Sequence, residues 1–472
     1  MARIESDSIG ERELPEDALF GVNTLRGVEN FDISPLKIGR EPALVRALAH
    51  IKMAAARANN EIGALPPAKS NAIVAACQEV IAGQHHEQFV VDLLEGSGGT
   101  SINMNANEVF ANRALQITGH DVGHYQHINP NDHVNLGQST NDVVPTAVKL
   151  AVLEKSAQLV DSLDLLARSL KNKSDEFAHV LKIGRTCMQA AQPMTLGQEF
   201  GGYAAALFRA RAKLEEVVTD LTTLPLGGTA IGTGLGARPG YREAVYRHLS
   251  SEIGVQFRPA DDMFDGMQNS DTFARVSSEM RIAAEVIGKI SLDLIILSSG
   301  TKSGIGEICL PAVQPGSSIM PGKVNPVLPM MMQQVAYAVI GNDAAVSLAS
   351  LGGQLEINHF EPVIASRLFD TLDLLTRGSR IFANKCIAGI QPNEEQALEN
   401  LLGSSALATV FVPTLGYAQV SKIVKDSEAR GQLFVDALVD LDLMTREEVI
   451  NALQTATGAQ FPVAKSIETV PA

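Results

Sequence analysis

The chain has 472 residues, 45% hydrophobic and 19% charged, which suits one large core or two to four domains and argues against disorder. A formal net charge of -15, from 38 basic and 53 acidic residues, argues against nucleic acid and anionic membranes as partners. No run of about 18 apolar residues predicts a membrane span, the first residues lack an apolar leader core, and Cys77, Cys187, Cys309 and Cys386 form no CxxC pair that would predict a disulfide framework or structural zinc.

The expectation is a soluble cytoplasmic protein. Aromatic residues make up 5% and Trp is absent, which favours close-packed helices over sheets. Residues 1 to about 40 read as an extended arm with turns at Gly10, Pro15, Gly21, Gly27 and Pro35. Helical, alanine-rich pattern follows over 41–81, broken at Gly63 and Pro66-Pro67. Polar stretches then occupy 92–107 and 129–142. Over 146–181, Leu153, Ala157, Val160, Leu163, Ala167, Leu170 and Phe177 recur at spacings of three, four or seven. That spacing predicts a helix of about 50 Å, longer than a small domain needs, and so a long bundle. Further long helices are predicted over 195–222, 270–297, 326–351 and 362–383. After about 390 the pattern shortens into small helices broken at Pro392, Gly403, Pro413 and Gly458.

The polar loops near 97–107, 138–142, 184–193, 227–235 and 316–326 all fall at predicted helix ends. Thr100, Ser101, Asn103, Asn105 and Asn107 supply five short polar groups where a helix cap needs one, so capping and anion binding both remain open. Ser139, Thr140, Asn141 and Asp142 pose the same alternatives before the longest helix. The stretch from Gly184 through Arg185, Thr186, Cys187 and Gln189 is either a connector with a structural Arg or a ligand loop. His133 and His359 are acid/base candidates or structural histidines. Gly232-Thr-Gly-Leu-Gly236 follows no clear strand and is not a dinucleotide fingerprint. No metal site is predicted, because no His-x-x-x-His pair occurs and Asp261, Asp262 and Asp271 do not form a ligand set.

The loop Gly316-Ser-Ser-Ile-Met-Pro-Gly-Lys-Val-Asn-Pro326 stands apart. Its Gly and Pro residues rule out a continuous helix or central strand, and they frame Ser317, Ser318, Lys323 and Asn325. With Thr100, Ser139, Thr140, Asn141 and Thr186, these groups offer many neutral donors and one or two cations. Such a set suits a small dianion, for example a dicarboxylate, and calls for no cofactor.

These stretches, in this order, resemble the aspartase/fumarase superfamily, from Arg3 to the carboxyl-terminal segment. The 316–326 loop is similar to the family signature Gly-Ser-Ser-x-x-Pro-x-Lys-x-Asn-Pro. The resemblance implies a mainly α, three-domain subunit with a central long-helix bundle, divided at 1–141, 142–392 and 393–472. It also implies a homotetramer with a twenty-helix core and active sites shared by three subunits. Gly99-Thr-Ser-Ile-Asn-Met-Asn105, Asn129-Pro-Asn-Asp-His133 and Gln138-Ser-Thr-Asn141 resemble the aspartate ammonia-lyase branch more than the class II fumarate hydratases. The implied reaction is reversible anti-elimination of ammonia from L-aspartate or a related amino-dicarboxylate. Hydration of fumarate, or C–N cleavage of a substituted aspartate, are the alternatives.

By the same resemblance Ser317 is the general base, with Lys323 among the groups that stabilise its alkoxide. Thr100, Ser139, Thr140 and Ser318 receive the carboxylate beside the acidic carbon, Thr186, Lys323 and Asn325 hold the other, and Asn141 meets the amine. Cys187 follows Thr186 beside the implied substrate, where the family has His or Gln, and Ala190 stands where it has Asp. A thiol with an ordinary pKa is mostly neutral near pH 7 and cannot replace a charged imidazole. The general chemistry is retained; the identity of the amine is what these two positions leave open.

Overall fold

The computed structural model describes residues 2–300 and 302–459, and among them helices dominate while strands occur in two-stranded pairs. At the amino terminus the chain forms a hairpin and a helix where an extended arm was expected. Strand β1 (Ala2–Asp7) pairs antiparallel with β2 (Gly10–Pro15), and α1 spans Val22–Asn30. The turn has a local cause: Asp7 Oδ1 accepts the Ile9 and Gly10 N–H groups, at 2.9 and 3.2 Å, as short acidic side chains do in turns. Arg26 then grips both Asp7 oxygens, at 2.7 and 2.8 Å, and this hydrogen bonding holds the carboxyl down to about 2.

Helices α2 (Pro42–Glu61), α3 (Pro67–Ile81) and α4 (Thr100–Ile117) follow, with proline at the first turn of α2 and α3, where its missing N–H costs nothing. The amino end of α1 has Gly21 as its N-cap and so no capping side chain. Glu108 of α4 does that work from a distance. Its buried carboxylate accepts from the N–H groups of Gly21, Asn23 and Thr24, the Asn23 amide and the Thr24 hydroxyl, the last at 2.6 Å. Burial raises its pKa, and the donors from Thr24 and Asn23 oppose that shift.

The chain then forms α5 (Thr140–Glu176), the hairpin β3 (Leu181–Thr186) and β4 (Gln189–Thr195), and α6 (Leu196–Val218). A two-residue strand pair, β5 (Thr223–Leu224) with β6 (Arg258–Pro259), brackets α7 (Tyr241–Ile253). After α8 (Met263–Gln268) come α9 (Asp271–Leu297), β7 (Ile308–Cys309), α10 (Val327–Leu351), α11 (Glu361–Lys385) and β8 (Gln391–Pro392). Short helices α12 (Glu394–Leu402), α13 (Val412–Leu415), α14 (Tyr417–Ala429), α15 (Phe434–Asp440) and α16 (Arg446–Thr457) close the described chain, as the shortened pattern predicted.

Two compact units result, one from Met1–Val160, Ala212–Ile282 and Ala338–Leu375, the other from Asp161–Arg211, Ala283–Tyr337 and Thr376–Ala472. In the first, α2 packs on α3 and α7 through a stripe that includes Leu44, Leu48, Ile51 and Ala55, all nearly inaccessible. In the second, Ile183 of β3 joins Leu401, Phe411, Val435, Leu438 and Leu453 in one apolar cluster. Four of the five predicted long helices end within a few residues of their expected bounds, and the fifth, α5, runs from 140 to 176 where 146–181 was expected. Of the predicted stripe, Val160, Leu163, Ala167, Leu170 and Phe177 are buried, while Leu153 is only half-buried and Ala157 is exposed, Val152, Ser156 and Leu159 being covered there instead. The helix ends at Glu176, and Leu181 and Ile183 go instead into β3, buried in the apolar cluster of the second unit.

The Glu108 cap yields a stability test. Glu108→Gln puts an amide against N–H donors and should cost roughly 3 kcal/mol, read as an earlier denaturant midpoint. A loss under about 1 kcal/mol would mean that the carboxylate is not what anchors α1.

Candidate active site

The first unit carries Thr100, Ser139, Thr140 and Asn141. Thr100 is the exposed first residue of α4, after Gly99 in a left-handed conformation at φ 92°. The other polar residues of that cluster face inward. Ser101 is held through Ser97, Asn105 receives the Val90 N–H at 2.9 Å and donates to Gln88 O, and Asn107 is buried. Of the five groups, Thr100 is the one whose side chain stays outside, and the rest are scaffolding. Gly98 lies against His359, whose ring packs on Phe360 with centroids 4.2 Å apart.

Ser139 and Asp142 cap α5 reciprocally: Asn141 N–H donates to Ser139 Oγ at 3.2 Å, and Ser139 N–H to Asp142 Oδ1 at 2.9 Å. Capping and ligand chemistry are therefore compatible here, because a hydroxyl oxygen that accepts from the backbone still has its proton to donate. Asn141 gives one amide N–H to Ala230 O at 2.7 Å, which fixes the amide's orientation and leaves Oδ1 as an acceptor. The other Asp142 oxygen accepts the Gly227 and Thr229 N–H groups at 2.9 and 3.1 Å, with Gly227 at φ 86° and Thr229 at φ 57°. The glycine-rich loop near 227–235, placed at a helix end by the sequence, thus anchors the start of α5.

Behind these groups lies Lys52, fully buried, with Nζ donating to Asn103 Oδ1 at 2.8 Å, Asn135 Oδ1 at 2.9 Å and Gln138 Oε1 at 3.0 Å. Asn103 in turn donates to Thr140 Oγ1 at 3.3 Å. Burial draws the Lys52 ammonium down to about 7 and pushes the Asp142 carboxyl up to about 6, while each one's charge opposes the other's shift. The hydrogen bonds favour the charged form of both, since Lys52 meets acceptors alone and Asp142 donors alone. A sequence signal for Lys52 existed: a lysine at a position of α2 where Leu48, Ile51, Ala55 and Ala56 are the other members of the buried stripe. His133 is structural, its Nδ1 accepting from the Asn129 N–H at 2.7 Å and its Nε2 2.8 Å from Lys69 Nζ.

The second unit carries Thr186, Cys187, Ser317, Ser318, Lys323 and Asn325. Thr186 and Cys187 lie on a β-hairpin, not on a connector between helices. Thr186 pairs with Gln189 across a two-residue turn in which Cys187 and Met188 have φ 50° and 62°. Hairpins favour this turn geometry, but side chains other than Gly or Asn rarely occupy it, so the tip is strained. Arg185 has the structural role weighed for it, donating to the buried Glu307 Oε1 at 2.6 Å, with Lys182 Nζ 3.2 Å from Oε2. Burial would raise the Glu307 carboxyl, but these cations and Asn400 bring it below its ordinary value. Exposed Cys187 borders a polar cavity of about 260 Å³ walled by Lys182, Arg185, Glu199, Lys289 and Asp293.

The 316–326 loop is closed on itself. Gly316 N–H donates to Lys323 O at 2.7 Å and Asn325 Nδ2 to Gly316 O at 2.7 Å, around a turn with Gly322 at φ 79°. Ser317 Oγ accepts the N–H groups of Ile319 and Met320 at 3.2 and 3.0 Å. Ser318 and Lys323 are exposed, and no hydrogen bond or ion pair among the described residues engages the Lys323 ammonium. Asn325 is thus partly spent on the loop itself, a duty not anticipated from the sequence.

A helical chain with this loop and these helix-end hydroxyls defines a lyase, and it belongs to the aspartase/fumarase superfamily: the family model described as Lyase matches residues 10–341. The aspartate ammonia-lyase of Pseudomonas aeruginosa is 46% identical over 432 residues, 91% of each chain. The class II fumarate hydratase of Halobacterium salinarum is 42% identical over 452 residues, 96% of each. Among solved structures, a fumarate lyase:delta crystallin from Brucella melitensis bound to cobalt superimposes with a TM-score of 0.94 at 46% identity, over 98% of this chain and all of that one.

The closure of the loop can be tested at Gly316, where an added Cβ would lie 2.8 Å from both Asn325 N and Lys323 O. Gly316→Ala should cut turnover by about 100-fold while leaving the melting profile nearly unchanged. Retention of normal turnover would show that loop shape is not critical.

Proposed function

We propose that this protein is a carbon–nitrogen lyase that eliminates ammonia from L-aspartate or a closely related amino-dicarboxylate to give fumarate or its analogue, reversibly. The observation that carries the reading is Ser317 Oγ held by the Ile319 and Met320 N–H groups inside the closed loop. A serine is a poor base unless its alkoxide is stabilised, and two fixed N–H donors with the Lys323 ammonium on the same loop are suited to that task.

Ser317 would take the proton from the carbon beside a carboxylate, the slow step, because a dianion develops there. Hydroxyls of Thr100, Ser139, Thr140 and Ser318 would receive that charge, and Thr186, Lys323 and Asn325 the second carboxylate. Asn141 Oδ1, oriented by the bond from its Nδ2 to Ala230 O, would accept from the leaving amine. The aspartate ammonia-lyase relatives, 41–46% identical, support aspartate as the first substrate to try. The fumarate hydratase relative at 42% identity favours hydration as the second reading. The cavity bordered by Cys187 supports a third arm, amines larger than ammonia.

The three-domain division at 1–141, 142–392 and 393–472 and the homotetramer with shared sites belong to the same reading, as does a cytoplasmic location. Support for assembly comes from α10, where Met330, Tyr337, Ile340, Leu348 and Leu351 stay exposed on a helix whose other face buries Met332, Ala336 and Val339. An open apolar stripe of this kind suits further helices.

Purified enzyme given fumarate with concentrated ammonia should consume the fumarate absorbance, and with water alone should not. Ser317→Ala should lower that rate by about 1,000-fold or more and keep a mass near four subunits by light scattering. A Ser317→Ala enzyme at wild-type rate would exclude Ser317 as the base, and fumarate loss in water alone would favour the hydratase.

A further inference from the structure

Lysine offers three N–H donors and no acceptor when charged, and two donors with a lone pair when neutral. Around Lys52 Nζ stand three amide oxygens, those of Asn103, Asn135 and Gln138, at 2.8, 2.9 and 3.0 Å. A neutral amine would aim its lone pair at one of them, so the pocket is built for the ammonium.

The ammonium fixes the direction of everything attached to it. With its oxygen turned to Lys52, Asn103 must turn Nδ2 outward, where it meets Asn135 Oδ1 at 3.2 Å and Thr140 Oγ1 at 3.3 Å. Thr140 Oγ1 therefore accepts from Asn103, and its single proton is left to donate elsewhere. The same logic orients Gln138, whose Nε2 donates to Val134 O at 3.0 Å and lies one residue before Ser139.

We infer that Lys52 is a positioning residue for catalysis: through Asn103 it sets Thr140 as a donor toward the substrate carboxylate. The inference rests on the proposed role of Thr140. Lys52 touches no substrate group itself. Its charge lies one amide behind the hydroxyl, where it polarises the chain Lys52–Asn103–Thr140 in the direction that a developing dianion needs. Were it a neutral residue, the Asn103 amide could turn over, present its oxygen to Thr140, and draw the Thr140 proton inward.

A double-mutant cycle on the full-length enzyme separates this from a merely structural role. Lys52→Gln should lower kcat/KM at least about 10-fold, and Thr140→Val should do likewise. In the Thr140→Val background, Lys52→Gln should then cost less than about 3-fold, because the hydroxyl it orients is gone. Where Lys52→Gln does not fold, as judged by circular dichroism, Asn103→Leu takes its place in the cycle, since it cuts the link to Thr140 and leaves Lys52 its other two partners. Losses that multiply would overturn the role of Lys52 while sparing that of Thr140. A Thr140→Val enzyme of wild-type kcat/KM would instead overturn the placement of Thr140 and the inference with it.

Discussion

Buried charge, satisfied by fixed dipoles, is the constraint on which the loops of this protein depend. Lys52 is held by three amide oxygens, Glu108 by five donors at the start of α1, and Asp142 by the N–H groups of Ser139, Gly227 and Thr229. An ion out of water is tolerable only when such partners are all in place, so each of these groups admits one arrangement of the backbone around it. Irregular segments with no regular hydrogen-bond ladder of their own thereby acquire a defined shape. In the second unit Glu307 plays the corresponding part, gathering Arg185, Lys182 and Asn400 behind the hairpin that carries Thr186 and Cys187.

The proposed chemistry follows the same division of labour. In that proposal a chain of net charge -15 would bind a dianion with local groups, neutral hydroxyls with few cations. Hydroxyls whose oxygens already accept from the scaffold keep a proton free to donate outward, as Ser139 and Thr140 do. Ser317 is the exception that suits a base: its oxygen accepts two loop N–H groups, which favours loss of its own proton. The closed 316–326 loop makes this arrangement local, independent of neighbouring helices.

Much of the fold was legible because helix-forming stripes and loop-forming Gly and Pro residues are local signals. The short carboxyl-terminal helices and the breaks between helices came through on that basis. The hairpins did not. Leu181 to Thr195 contains no strict alternation, and its strands form because Ile183 joins the core built by residues beyond 400, a contact invisible in a short window. The predicted stripe of α5 departs from the buried one only at Leu153 and Ala157, for a related reason: many faces of an alanine- and leucine-rich helix are apolar, and the neighbours choose which is covered.

At the site, residue types and their order pointed to the hydroxyl-amide clusters and a small dicarboxylate ligand, because such a ligand demands particular functional groups in a particular frame, and the lyase reading came from the resemblance of the 316–326 loop to the family signature. Tertiary structure decided which of those groups point outward. It kept Thr100 outside and spent Ser101, Asn105 and half of Asn325 on the scaffold. It also added Lys52, which no motif marked, and gave the 227–235 loop its task of holding Asp142. The physical reason is that donor and acceptor direction depends on partners far apart in the chain, here 51 residues from Lys52 to Asn103 and 85 from Asp142 to Gly227. A sequence states which hydrogen-bonding groups exist, and only the packed chain assigns their protons.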